Sequence, residues 1–408
     1  MNVDELYLDL HEHPELSFEE TRTAAIAAAE LRAAGFEVIE HIGRTGVVGV
    51  LRNGDGPTVL LRADMDALPV VEDTGLTYAS STPGVMHACG HDVHVACLIG
   101  AAHQLARTRA EWGGTVVALF QPAEEVGNGA QAMLDDGLYE KVPVPDVVLG
   151  QHVGPAPAGL LGAHAGPAYA SADSLDITVH GRGGHGSRPE TTIDPIVIAA
   201  AIVGRLQTIV AREVAPQEVS VVTVGRLNAG SKNNIIPESA ELGLSVRAYS
   251  EEVRQRLLGS IERIARAEAA ASDAQPPTIE LAESFPVTVN DVAATERTMA
   301  AFRSAFGERA VVDPGQVSGS EDVGLLATAA KAPLVYWILG GAHPETYLAA
   351  ASAGTLDRDI PSNHSSKFAP EIQPTLDRGV AALVTAAREW LRAAAPAATA
   401  TPAPQLEQ

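Results

Sequence analysis

Nine consecutive residues, Met86-His87-Ala88-Cys89-Gly90-His91-Asp92-Val93-His94, hold a thiol, three imidazoles and a carboxylate. Thiolate and imidazole are the ligands that zinc and its first-row neighbours favour, and the chain has only one other cysteine, Cys97. The stretch therefore points to metal chemistry. Further candidates follow apolar runs: Asp64-Met65-Asp66, Glu124-Glu125 and Gln151-His152. Adjacent glutamates point different ways on an extended backbone, so one can ligate an ion while the other carries a proton.

What positions these groups is a change of apolar period along the chain. Residues 3–10 and 19–34 carry helical spacing, with Gly35 as a stop signal. Residues 47–51 and 58–62 are strand-like runs, and Asn53-Gly54-Asp55-Gly56 between them predicts a hairpin. Val95, Leu98, Ile99, Ala102 and Leu105 predict a helix over 92–107, opened by a loop that holds Cys89 and His91. Residues 115–120 and 146–149 predict buried strands. The polar groups thus sit just past strand ends, where open α/β sheets build their sites.

Between residues 174 and 281 the pattern reads β-α-β-β-α-β, the ferredoxin-like order. The expected organisation is α/β. Residues 1–171 form the first part of a catalytic domain, 172–286 an inserted domain, and 287–394 the second part, closing on a helix over 375–394. Hinges are expected near 167–172 and 285–286. Residues 395–408, rich in Ala, Pro and Thr, are expected to be a disordered tail.

A chain of 408 residues exceeds one ordinary domain. Its 28 basic against 51 acidic residues, a net charge of −23, argue against nucleic acid or an anionic membrane as partner. The two cysteines lie eight apart on one element, so no disulfide framework is implied and a cytoplasmic location is expected. Residues 1–14 are charged throughout and read as no signal peptide, and no apolar run reads as long enough to span a bilayer.

Arg62-Ala63-Asp64-Met65-Asp66-Ala67-Leu68-Pro69, Met86-His87-Ala88-Cys89-Gly90-His91-Asp92, Gln121-Pro122-Ala123-Glu124-Glu125 and Asn363-His364-Ser365 occur in this order. Together they resemble the signatures of the aminoacylase/carboxypeptidase family of dinuclear metallohydrolases, within it the amidohydrolase branch of hippurate and auxin-conjugate hydrolases. The resemblance runs from His11-Glu12-His13-Pro14-Glu15 to the last helix. It implies a mixed-sheet catalytic domain carrying an inserted ferredoxin-like lid and dimerisation domain.

The resemblance further implies two divalent ions per subunit, zinc or manganese first, with cobalt and nickel as further candidates. Cys89, His91, Glu125, His152 and His364 are their implied ligands, and whether Cys89 bridges the ions stays open. Glu124 is the implied general base for a metal-activated water, and Asp66 the supporting aspartate. His185, in a glycine-flanked turn, is implied to stabilise the oxyanion, often in the site of the partner subunit of a homodimer. Asn234 and Arg247 are implied to hold the substrate's carboxylate. The implied reaction is hydrolysis of N-acyl amino acids to a carboxylic acid and a free amino acid. N-acetyl-diaminopimelate deacetylation and dipeptide cleavage are alternatives on the same site.

Other readings compete. Cys89 could be a nucleophile with His91 or His87 as base, and the chain could be a non-catalytic binding protein that has lost its ligands; none of the five is lost. His13, His41, His103, His164, His180 and His343 are read as ordinary surface or core residues, His94 as a helical surface or supporting group, and Cys97 as core. Ser320, Glu321 and Asp322 are read equally well as helix caps.

Overall fold

The computed structural model describes residues 2–393. Its main strands are β1 (Glu37–Ile42), β2 (Gly46–Asn53), β3 (Thr58–Asp64), β4 (Trp112–Gln121), β5 (Val147–Pro157), β6 (Ser171–His180), β7 (Ser220–Ala229), β8 (Ser239–Ala248), β9 (Thr278–Phe285) and β10 (Leu334–Ala342). The larger sheet is mixed, in the order β1-β2-β4-β3-β5-β10, and is continued by the short strands Leu161–Gly162 and Val311–Val312. β3 runs parallel to β4 and β5, and β5 parallel to β10. These central strands are apolar and buried on both faces, as parallel strands covered by helices must be.

The main helices are α1 (Val3–Glu12), α2 (Thr21–Ala33), α3 (His91–Arg107), α4 (Pro195–Arg212), α5 (Glu251–Ala271), α6 (Val292–Phe306), α7 (Pro344–Ala353) and α8 (Thr375–Trp390). α3 is buried on almost every side because α1 and α8 cover it where it lies on the sheet. Its first residue is His91, so the core fixes one candidate ligand directly. The last helix stops at Trp390, short of the expected 394, and the expected tail 395–408 lies outside the described residues.

The hairpin expected across 53–56 does not form. β2 and β3 are not neighbours, since β4 pairs with both of them. A turn sequence fixes only where the chain reverses, whereas pairing is decided by which buried strand can satisfy both edges. The hairpin is instead β1 with β2, closed through Gly43 and Arg44, both at left-handed φ (62° and 80°).

A second sheet, antiparallel and ordered β7-β8-β6-β9, carries the β-α-β-β-α-β succession. α4 and α5 cover one face with Ile198, Ile202 and Leu206 and with Leu257, Ile261 and Ile264. Among the described residues one helix, α4, is long and apolar enough by length and mean hydropathy (1.5 over 18 residues) to cross a membrane. Its long aliphatic face is the one that packs on this sheet.

Candidate metal centre and active site

Five side chains converge from separate elements. Cys89 ends the loop before α3, His91 opens α3, Glu124 and Glu125 follow β4, and His152 lies within β5 rather than past its end. His364 comes from the loop after α7, its amide donating to Ala88 O (2.8 Å). Gly90, between two of these groups, is at φ 81°, and a Cβ there would stand 2.3 Å from Val153 Cγ1. Only glycine lets Cys89 and His91 turn inward together at that spot.

Besides a set of His91 with Glu124 and Glu125, two candidate sets contain the thiol, Cys89 with His91 and His152, and Cys89 with Glu125 and His364, each with its donor atoms within 4.8 Å of one another. Cys89 is common to both. His152 Nδ1 bonds Val153 O (2.8 Å), which makes it the protonated nitrogen and turns the bare Nε2 to Cys89 Sγ at 3.5 Å. His364 Nε2 lies 3.3 Å from Glu125 Oε2, and His91 Nε2 lies 3.7 Å from Glu125 Oε1. His91 Nε2 and Glu125 Oε1 are buried without a hydrogen-bond partner, while His91 Nδ1 faces Asp66. Buried polar atoms in native folds are normally satisfied, so this soft and borderline donor set fits divalent cations.

Asp66 holds the centre together. Its Oδ1 accepts the Glu124 N–H and its Oδ2 the Glu125 N–H, both at 3.0 Å, while Ser17 Oγ donates to Oδ2 at 2.7 Å. Burial raises the Asp66 carboxyl, but His91 beside it (Nδ1 to Oδ1, 3.3 Å) and these donors bring it below the usual carboxylate range. The glutamate loop is also held by Glu20, which accepts the amide of Ala123 (2.8 Å), a residue at left-handed φ (49°). Gly127 closes this loop under the ring of Phe285, where a Cβ would approach Phe285 Cε2 to 2.9 Å.

Beneath the ligands lies a guanidinium with no solvent exposure. Arg62 donates to Asp64 (2.6 Å), Glu321 (2.9 Å), Asp322 (3.2 Å) and Gln121 (2.9 Å). Glu321 also accepts from Tyr336 Oη (2.5 Å), and Asp322 accepts the Ala130 amide (2.9 Å) in the short helix Gly129–Asp135. The capping reading is thus corrected. Glu321 caps nothing, and Asp322 caps a helix far away in sequence, because both are drawn to a buried cation. Asp64 next to Glu124 and Glu321, or next to His91 and His94, could also surround an ion by distance. Arg62 already neutralises Asp64 and Glu321, and His94 has no free nitrogen, its Nδ1 meeting Asp64 (2.5 Å) and its Nε2 taking the Val153 N–H (2.8 Å).

Burial, with Glu321, Glu125, Asp322 and Asp64 close by, pushes the Glu124 carboxyl well above the usual range. Burial likewise pushes His152 down to about 3 and holds it neutral, as a ligand requires. His94 is buried rather than on the helical surface, and His87 is buried with both nitrogens unpartnered, in neither of the two Cys89 sets. Cys97 is fully buried core.

A cavity of about 880 Å³ opens over Cys89, Glu124, Glu125, His152 and His364. Arg247 lines it, its Nη1 donating to Ser318 O (2.8 Å) and Ser320 Oγ (3.1 Å). His185 and Asn234 do not. His185 sits exposed in a two-stranded ribbon with Ile235, its Nδ1 taking the Ser187 N–H (3.1 Å), and Asn234 offers its carbonyl to the Gly186 amide (2.8 Å). Arg62 and Glu20 are structural parts of the centre that sequence reasoning did not single out. The signal for Arg62 was an arginine inside an otherwise apolar strand.

A profile of peptidase family M20/M25/M40 matches residues 60–355. The chain is 42% identical over 327 residues to a hippurate hydrolase of Campylobacter jejuni, covering 79% of this chain and 84% of that protein. It is 41% identical over 270 residues to an N-acetylcysteine deacetylase of Bacillus subtilis, covering 65% and 70%. Among solved structures it resembles a dinuclear metal binding peptidase of Bacillus subtilis, with a TM-score of 0.76, 32% identity, and 95% and 98% of the two chains covered.

Proposed function

The chain belongs to peptidase family M20/M25/M40, and we propose that it hydrolyses the amide bond of N-acyl amino acids, releasing a carboxylic acid and a free amino acid. The observation that carries this reading is one cavity lined by Cys89, Glu125, His152 and His364 of two thiolate-sharing ligand sets, by Glu124, and by the Arg247 guanidinium. The relatives' names, hippurate hydrolase and N-acetylcysteine deacetylase, support the same substrate class.

Cys89, His91 and His152 would hold one divalent ion, and Cys89, Glu125 and His364 the other, with Cys89 shared. When bound, such a pair polarises the amide carbonyl and acidifies water, with zinc or manganese as the first candidates. Glu124 takes the proton of the attacking water and returns it to the departing amine nitrogen, because Asp66 fixes its backbone and Glu125 is turned away to ligate. Arg247 takes the substrate's carboxylate as a two-pronged donor.

Residues 172–286 are assigned as a lid and dimerisation unit. His185 and Asn234 lie outside the cavity of their own chain, which supports their acting in the cavity of the partner subunit of a homodimer. Both cysteines are free, in keeping with a cytoplasmic location. The test is a hydrolysis panel of N-acetyl, N-benzoyl and indoleacetyl amino acids with zinc and manganese in turn. Cleavage that requires added metal is the expected result, and metal-free cleavage abolished by thiol alkylation would overturn the reading.

A further inference from the structure

On the second sheet the cavity over the ligands does not end at Arg247. A neighbouring hollow of about 360 Å³ shares Ser174, Ser245 and Glu283 with it and runs on across the sheet face turned away from α4 and α5. The strand registers order that face in rows. Arg247, Ala172 and Phe285 lie side by side across β8, β6 and β9, and line the cavity together with Tyr169 and Val317. Ser245, Ser174 and Glu283 form the next row, and Gly243, Asp176 and Glu280 the one beyond.

Two bulges set the charges of this face. Successive residues of a strand point to opposite sides, so two groups three apart share a side only where an extra residue intervenes. The register of β9 slips between Leu281 and Glu283, which brings Glu280 and Glu283 to the same side. That of β7 slips between Val224 and Arg226, which sets Arg226 opposite Gly243 while Thr223 stays opposite Ser245. Glycine at 243 leaves room for this guanidinium, since a Cβ there would stand 3.1 Å from Arg226 Nε. Arg226 pairs with Asp176. Among the described residues Glu283 meets a hydroxyl and no cation, Ser174 Oγ donating to its Oε2 at 3.2 Å.

We propose that the hollow beyond Arg247 receives the side chain of the substrate's amino-acid half and that Glu283 selects it, favouring a long side chain that ends in an ammonium, of the lysine or ornithine type. The proposal rests on the amide-hydrolysis reading and extends it to the amino-acid side. A guanidinium in one row and a carboxylate in the next repeat, with opposite sign, the order of charges in such a substrate. Rows of one face lie about 6.7 Å apart, two residues of a strand, and the four-carbon stem of a lysine covers about that span. With the α-carboxylate on Arg247, the ammonium reaches Glu283, Ser174 and Ser245, three acceptors for its three donors. A side chain ending in a carboxylate would meet Glu283 as a like charge.

The test uses the full-length, metal-loaded protein on Nα-acyl derivatives of lysine, norleucine and glutamate with one acyl group in common, and compares the wild type with Glu283→Gln and Glu283→Lys. Norleucine keeps the length of lysine without its charge. The wild type is expected to favour lysine over norleucine by about tenfold or more in kcat/KM, the low end for a hydrogen bond to a charged group. Glu283→Gln is expected to bring that ratio towards one through the KM of the lysine derivative, and Glu283→Lys to move the preference to glutamate. Glu283 is exposed on the edge strand β9, so both variants are expected to keep the fold, which an unchanged unfolding midpoint checks. A wild-type ratio near one, a ratio that both variants leave unmoved, or a parallel loss on all three derivatives overturns the inference while amide hydrolysis stands. So does faster cleavage of a derivative extended by a second residue, which would give the hollow to a peptide. A wild type that cleaves no derivative with zinc or manganese overturns both.

Discussion

His94 Nδ1 lies 2.5 Å from Asp64 Oδ1, and on the far side of the ring Nε2 accepts the Val153 amide at 2.8 Å. The imidazole therefore ties α3 to β3 and β5 and has no lone pair to give. It is a strut under the ligands. His94→Leu should keep a capacity of two ions but bind them ~10–100-fold more weakly, as loss of a ligand's support usually does. Metal titration followed by elemental analysis checks this; a capacity of one ion would make His94 a ligand after all.

Sharing of Cys89 between two ions, as proposed, would give a stoichiometric signature. Cys89→Ala should lose both ions, whereas His364→Ala, which belongs to one set only, should retain one. Counting ions per chain in the two variants settles whether the thiolate bridges. Two ions on the Cys89→Ala protein would mean that it does not.

Glu124→Gln should bind two ions and substrate as the wild type does yet turn over ~10²–10⁴-fold more slowly, the usual span for a lost general acid–base group. Steady-state kinetics with metal analysis tests the point. Wild-type kcat in the variant would remove Glu124 from the chemistry.

Arg62 is fully buried among Asp64, Glu321 and Asp322. Removing one member of such a set strands the others in a low-dielectric interior, at a cost of about 3–5 kcal/mol. Arg62→Leu should therefore lower the unfolding midpoint in urea by that equivalent or fail to accumulate folded. A variant as stable as the wild type would show that the carboxylates find protons or water instead.

A pH dependence follows from His11, whose Nδ1 lies 2.6 Å from Asp92 and Nε2 3.3 Å from Glu72. Burial works against its charge, but the two carboxylates win and raise it to about 10. A folded-state value above the unfolded one, near 6.5, means that the stabilisation is complete below pH ~6.5 and is lost as pH climbs towards ~10. Denaturation at pH 6, 8 and 10 should show this decline in the wild type, while His11→Gln should start lower and decline less. Parallel curves would contradict it.

The candidate metal-binding residues were legible in the sequence because their types are rare and their spacing is tight. Cys89 and His91 announce themselves within three residues, and the end of an apolar run located Glu124 and Glu125, whereas His152 lies inside its strand rather than past its end. Elements with a strong period were legible too, down to α5 at Glu251–Ala271. What was not legible depends on partners remote along the chain. Arg62 meets Glu321 only because β3 and a loop 259 residues later converge. Pairing of β2 with β4 rather than β3 is likewise a choice among buried edges that no local turn records. His185 and Asn234 were legible as motifs, but the motif does not say whose cavity they serve.

The ring of Phe285, the last residue of β9, rests on Gly127, which closes the loop bearing Glu124 and Glu125. A side chain at 127 would wedge the two apart, so the strand end and the acidic loop are packed directly on one another. If that contact couples the arginine fork to the ligand sets, occupancy of one is linked to occupancy of the other. Whatever factor substrate adds to metal affinity, metal must add to substrate affinity in return.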